Sequence, residues 1–308
     1  MKKNINAFDI GILGRMDATD IATQIRKKNI TAREATECVI DRAQKVNPSI
    51  NAIVNERYDL ALKESDLKTN GCFAGVPTFI KDLIDVRGLP TLHGSMSIPN
   101  KPVVKNEKIT EQILSTGCLI LGKSTTSEFG LLPATETLRH GATRNPLNLK
   151  YSTGGSSGGA AALVSSGVVP FAHAADGGGS IRIPSSCCGL IGLKPSKGRD
   201  VESPASMLPI DIVCQGVLTR TVRDTANYFA QVEKYYSPSN LPAIGQVSNP
   251  IKKRLKIAMF SVNPSGIESH PDVANAVLSA GKLCENLGHS VELVPCPFTQ
   301  AIKIDFLA

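Results

Sequence analysis

From Gly158 to Ala175 the chain runs through eighteen residues without an Asp, Glu, Lys or Arg, and a Gly/Ser cluster stands at each end of that run. Thr153-Gly-Gly-Ser-Ser-Gly-Gly159 leads into it, and Asp176-Gly-Gly-Gly-Ser180 follows it. A stretch of that length without formal charge belongs in a membrane or in a protein core. Ser165, Ser166, Gly167 and Pro170 break it in the middle, which rules out one continuous spanning helix. It reads as a helix, a turn and a strand inside a core.

The rest of the chain supports such a core. At 308 residues and 42% hydrophobic content there is enough apolar surface for one large domain or two ordinary ones. The 34 basic and 27 acidic residues leave a charge of +7, but it is scattered, and the densest basic run is the short Lys252-Lys253-Arg254. With no Trp and few aromatics to interleave with that charge, it reads as solvated surface, and no nucleic acid is expected as a partner. The eight cysteines show neither C-x-x-C pairs nor metal-ligand spacing with the five histidines. They are expected to be reduced thiols in a cytoplasmic protein that holds no metal. The N-terminus has two lysines but no signal-peptide apolar region, and no membrane association is expected.

Local signals place the elements. Thr31 and Glu34 form a T-x-x-E capping box, and Ala35, Val39, Ala43 and Val46 recur near helical spacing up to Pro48, so residues 1–70 read as a helical segment. From Gly75 the character changes to short apolar runs bounded by Gly or Pro, at Thr78–Ile80, Leu119–Leu121 and Val168–Phe171, which read as buried strands. Lys108–Leu114 and Gly159–Val164 read as helices between them. A strand at Lys256–Phe260, a helix at Pro271–Leu287 stopped by Gly288, and a strand at Val291–Val294 give a βαβ pattern over residues 255–308. The architecture is α/β, read as one domain over residues 1–308 with its core at about 71–235. The proline-rich Ser237–Pro250 is taken as an excursion within it.

Three glycines before Ser180 suggest a place where the main chain itself binds something. A P-loop would need Lys and then Ser or Thr after the glycines, where this chain has Ser-Ile-Arg. Pro184 argues against a helix starting there, as a dinucleotide fingerprint would require. A serine beside a row of oxyanion-binding N–H groups remains, as does a plain turn. A nucleophilic serine needs a base. His140 and His173 read as structural, and no G-x-S-x-G elbow surrounds Ser180. Lys81 interrupts the apolar run Gly75–Val86 where a strand should be buried, and burial would lower its pKa toward the range of a base. An ion pair with Asp82 or Asp85 is the equally open alternative. Ser156 and Ser157, framed by glycines, suit a loop, an anion site at a helix start, or a hydroxyl relay between lysine and serine.

Taken together, Lys81, Gly-Gly-Ser156-Ser157-Gly-Gly and Asp176-Gly-Gly-Gly-Ser180-Ile-Arg-Ile-Pro resemble the amidase signature family. Ser180 lies 24 residues after Ser156 and 99 after Lys81, as in the Ser-Ser-Lys triad of that family. The likeness runs from about Gly75 to Arg199, through Gly122-Lys-Ser-Thr-Thr-Ser-Glu-Phe and Gly141-Ala-Thr-Arg-Asn-Pro. It is nearest in look to general amidases, including members like the 6-aminohexanoate-cyclic-dimer hydrolases. The resemblance implies a central mixed β-sheet flanked by helices on both faces. It implies Ser180 as nucleophile, Ser156 after a cis peptide bond as relay, and Lys81 as base. The N–H groups of Gly177, Gly178, Gly179 and Ser180 would form the oxyanion hole, and Ser157, Asp176 and Arg182 would hold the site's shape.

The implied reaction is hydrolysis of a small carboxamide through an acyl-enzyme, without a cofactor, in a monomer or a homodimer. Relatives in this family usually continue well beyond 308 residues, so the C-terminal portion of the fold is expected to be missing. The sequence departs from Thr-Asp-Thr-Gly-Gly-Ser by having Ala175 and Gly177 at the threonine positions. A glutamine-hydrolysing amidotransferase subunit is a second reading, weakened because Ile183 stands where that branch has Gln after Ser-Ile-Arg. A truncated, inactive binding module is a third.

Overall fold

The computed structural model describes residues 4–201, 212–263 and 265–298. In chain order its elements begin with α1 (Ala18–Arg26), α2 (Ala32–Ile50), β1 (Ile53–Glu56), α3 (Tyr58–Ser65), β2 (Pro77–Lys81), α4 (Lys108–Leu114) and β3 (Leu119–Ser124). They continue with the two-residue strands β4 (Glu136–Thr137) and β5 (Gly141–Ala142), then α5 (Gly158–Ser165), β6 (Phe171–Asp176), α6 (Arg182–Cys188), β7 (Ile191–Gly192), β8 (Cys214–Thr219) and α7 (Val222–Tyr235). The last three are β9 (Lys256–Met259), α8 (Pro271–Asn286) and β10 (Ser290–Leu293). The chain divides into two compact units, residues 1–248 and 249–308, where the sequence reading has one domain. Residues 242–250, on either side of that division, are exposed and form no helix or strand.

In the first unit, β3 pairs antiparallel with β1 and parallel with β2, while β8 pairs antiparallel with β6 and β7. β2 and β6 lie side by side without a shared backbone ladder. Side chains join them instead: Thr78 Oγ1 donates to the Phe171 carbonyl at 3.0 Å, and the Lys81 N–H donates to His173 Nδ1 at 3.3 Å. All residues of β2, β3, β6 and β8 are buried. Helices α2, α3, α5 and α7 pack against these strands, so the expected mixed α/β layer is the one observed.

The uncharged run folds as helix, turn and strand. Seven of the eight residues of α5 are buried. A Cβ at Gly159 would lie 2.4 Å from the Thr125 backbone nitrogen and 2.8 Å from the Ala52 carbonyl oxygen, so glycine there lets the helix start directly against neighbouring backbone. The strand begins at Phe171, not Val168, because Val168–Pro170 still form the turn that leaves α5.

Two prolines behave differently from the sequence reading. Pro48 lies inside α2 and does not end it. The helix runs on to bury Ile50 and closes at Asn51, in the left-handed region, whose N–H donates to the Asn47 carbonyl at 2.7 Å. Pro184 stands in the first turn of α6, a helix that the sequence reading argues against. The first N–H groups of a helix have no partner inside it, so proline forfeits nothing at that position.

The capping box of α2 is formed as expected, with Glu34 Oε2 accepting from the Thr31 N–H at 2.7 Å and Thr31 Oγ1 accepting from the Glu34 N–H at 3.0 Å. In the second unit β9 and β10 pair in parallel around α8, the anticipated βαβ arrangement. The final part of the segment, residues 299–308, lies outside the described residues.

Candidate active site

β2 ends at Lys81, whose side chain is buried. Its Nζ donates to Ser156 Oγ at 2.7 Å and to the Ala175 carbonyl at 3.4 Å. Burial drives the Lys81 pKa from 10.5 down to about 7, against the raising effect of the Asp176 charge. Much of the amine is therefore neutral near pH 7, with a lone pair able to take a proton. The open alternative, an ion pair with a neighbouring carboxylate, is not what forms. Asp82 turns to Lys123 on β3 at 3.2 Å, both side chains fully buried, and Lys123 also donates to Thr91 Oγ1 at 3.0 Å.

Ser156 sits in the loop before α5, after a cis Gly155–Ser156 peptide bond. Its carbonyl accepts from the Ser127 N–H at 3.2 Å. Thr135 Oγ1 donates to the Gly154 carbonyl and accepts from the Gly158 N–H, each at 3.0 Å, so one hydroxyl ties both ends of the serine pair. Ser157 Oγ turns away from Ser156 and donates to the Ala175 carbonyl at 3.3 Å, bracing the loop on β6.

The third group begins where β6 ends. Asp176 is fully buried and accepts from the Gly179 N–H at 2.7 Å, the Ile181 N–H at 3.2 Å and the Arg182 Nε and Nη2 groups at 2.9 Å. Burial works to raise its pKa, but these donors, Arg182 foremost, outweigh it and hold the carboxyl down at about 2. Gly179 has φ +123°, in the region open to glycine, which lets its N–H turn back onto Asp176. In this structure the Gly179 N–H, expected as an oxyanion donor, is engaged with Asp176. The N–H groups of Gly177, Gly178 and Ser180 have no partner among the described residues.

Lys81, Ser156, Gly177, Gly178 and Ser180 all line one cavity of about 840 Å³. Ser180 is partly exposed in it, and its hydroxyl is not hydrogen-bonded to that of Ser156. The walls are largely apolar, with Leu83, Phe129, Leu131, Leu132, Ile183 and Val213 among them. The arrangement brings together a depressed-pKa amine, a hydroxyl in contact with it, a second accessible hydroxyl and free backbone donors, the parts needed for acyl transfer.

His173 is fully buried, and burial lowers its pKa to about 3. Its ring nitrogens face the Lys81 N–H and Gln215 Oε1, so it stands beside the site as a neutral structural group. His140 shares no hydrogen bond with Lys81, Ser156 or Ser180 and does not line the cavity. Sequence reasoning missed the Lys123–Asp82 pair and the His173–Gln215 contact. A trace of the first was present, since Lys123, like Lys81, follows an apolar run predicted to be a buried strand. Among the described residues no group of three His, Cys, Asp or Glu side chains is placed to hold a metal ion, and no helix is long and apolar enough to cross a membrane.

Known proteins resemble this chain over most of its length. The family model Amidase matches residues 34–305. The "Putative amidase AmiC" of Mycobacterium bovis is 43% identical over 304 residues, covering 98% of this chain and 64% of that protein. The 6-aminohexanoate-cyclic-dimer hydrolase of Paenarthrobacter ureafaciens is 34% identical over 297 residues, covering 89% of this chain and 58% of that protein. Among solved structures, a bacterial aryl acylamidase of the amidase signature family superposes with a TM-score of 0.81 at 29% identity, covering 94% of this chain and 63% of the other. The chain thus spans somewhat under two thirds of the length of these relatives.

Proposed function

The chain belongs to the amidase family, and from that premise we propose that it hydrolyses the carboxamide bond of a small molecule by way of an acyl-enzyme on Ser180. The observation that carries this reading is the buried Lys81 amine, with its pKa near 7, in contact at 2.7 Å with Ser156 in the cavity that also holds Ser180. In the neutral state the amine accepts from the Ser156 hydroxyl. As the Ser180 oxygen bonds to the substrate carbonyl carbon, the Ser180 proton passes to Ser156 and the Ser156 proton passes to Lys81. The carbonyl oxygen takes up the negative charge against the Gly177 and Gly178 N–H groups, where one such donor is worth about 3 kcal/mol.

Return of the proton from Lys81 through Ser156 to the departing nitrogen breaks the C–N bond and releases an amine or ammonia. Water then adds to the acyl-Ser180 ester by the same proton route, freeing the acid and restoring the serine. Closing the relay requires the Ser180 hydroxyl to rotate toward Ser156, a motion available to a partly exposed side chain. Asp176 and Arg182 act by shaping the turn that carries Gly177 to Ser180. The apolar walls, with Ile183 beside the nucleophile, favour an apolar acyl group over the polar side chain of glutamine. Eight unpaired cysteines support work in the cytoplasm.

The test is the intact mass of the protein after exposure to a fluorophosphonate, with Ser180→Ala as control. A single adduct, absent in the variant, is the expected result and leads directly to a panel of apolar acyl amides. A folded protein that takes no adduct would overturn the reading in favour of a non-catalytic module.

A further inference from the structure

β2 and β6 are neighbours without a ladder, so the position of the Lys81 end of β2 depends on side-chain bonds. At that end the bond is made by His173, fully buried in the middle of β6. Gln215 Oε1 on β8 can only accept, so His173 Nε2, 3.0 Å away, carries the ring proton. Nδ1 is then left with a lone pair, and it accepts from the Lys81 N–H at 3.3 Å. The contacts form a chain across three strands, Gln215 to His173 to Lys81, in which the first contact sets the tautomer that the second one needs. A doubly protonated ring would set an N–H against the Lys81 N–H. The charged groups around the pair are Lys81 itself on β2, Lys123 on β3 with its partner Asp82, and Asp176 at the end of β6.

We propose that His173, held in one tautomer by Gln215, is a positioning residue that fixes the backbone of Lys81 and thereby keeps its amine on Ser156. The inference rests on the reading of Lys81 as the base. His173 does not itself line the cavity, so its effect falls on the reactivity of Ser180 and not on what the cavity admits. Leucine at 173 would fill the space without accepting a hydrogen bond. Asparagine can place an amide oxygen near the Nδ1 position and restore the acceptor.

The experiment measures the rate and concentration dependence of fluorophosphonate inactivation for the wild-type chain, His173→Leu, His173→Asn and Gln215→Leu, across pH 5 to about 9. The expected result is a loss of at least about tenfold in the maximal inactivation rate of His173→Leu at unchanged half-saturating concentration, with the acid limb of its pH profile moved upward as the freed amine gains solvent. His173→Asn should recover most of the rate and the wild-type pH profile, and Gln215→Leu should fall between. His173→Leu with the wild-type rate and profile would overturn the proposal. So would equal losses in the Leu and Asn variants, each shown by circular dichroism to be folded. If His173→Leu does not fold, Gln215→Leu decides alone, since an unchanged rate and profile there would overturn the role of the tautomer. Failure of the wild-type chain to label would instead overturn the reading of Ser180 and Lys81 as nucleophile and base.

Discussion

Replacing Lys81 with methionine should abolish the chemistry and at the same time make the protein more stable. An unfolded lysine titrates near 10.5, whereas burial brings Lys81 in the folded chain down to about 7. Between those two values the unfolded chain binds a proton that the folded chain does not, so stability rises with pH across that window. The penalty on the folded state is fully present below about pH 7 and disappears as pH approaches about 10.5. A pKa difference of that size corresponds to a cost on the order of 4 kcal/mol at neutral pH.

Methionine removes that cost and fills much of the same volume. It also leaves Ser156 Oγ and the Ala175 carbonyl without their lysine donor, at about 1 kcal/mol each. The balance is a net gain of about 2 kcal/mol near pH 7, falling to zero at about pH 9 and becoming a small loss above it. Urea unfolding of the two proteins at several pH values isolates the effect, because every other group titrates alike in both. A Lys81→Met variant less stable than wild type at pH 7, or a difference that stays constant up to about pH 10, would refute the reasoning.

Fluorophosphonate capture by the wild-type chain should rise with pH through about 7 and then level off, as the Lys81 amine loses its proton; a rate independent of pH from 5 to about 9 would show that another group is the base. Lys123→Met should cost about 3–5 kcal/mol in urea unfolding because it strands the buried Asp82 carboxylate, and Asp82→Asn in the same chain should restore part of that loss. Gly159→Ala should destabilise by about 1–3 kcal/mol, since its Cβ would meet the backbone of Thr125 and Ala52 as well as the Thr125 hydroxyl, and moving that hydroxyl would not relieve the backbone contacts; a melting temperature equal to wild type would contradict the close approach of α5. Arg182→Met should raise the Asp176 pKa from about 2, so that acid unfolding sets in at a higher pH than in wild type.

What the sequence determined by itself was local or depended on contrast along the chain. The Thr31–Glu34 box starts a helix because its partners are three residues apart. The span of α4 and the βαβ order near the end follow from periodicity and stop signals. Lys81 could be singled out because one charge in a buried apolar run demands an explanation, and Ser156 and Ser180 because glycines frame them. The partners of these residues were a different matter. Lys81 reaches Ser156 and Ala175, which lie 75 and 94 residues away in sequence. Asp82, one residue further on, reaches Lys123, and nothing local distinguishes the two outcomes.

The tertiary structure alone decided that Gly179 gives its N–H to Asp176, that Pro184 sits harmlessly in a first helical turn, and that His173 holds the strand end that carries the amine. In each case the deciding quantity is which strand or turn lies beside which. Hydrogen bonds and desolvation act over a few ångströms, and only the packing of β2, β3, β6 and β8 brings those groups within that range.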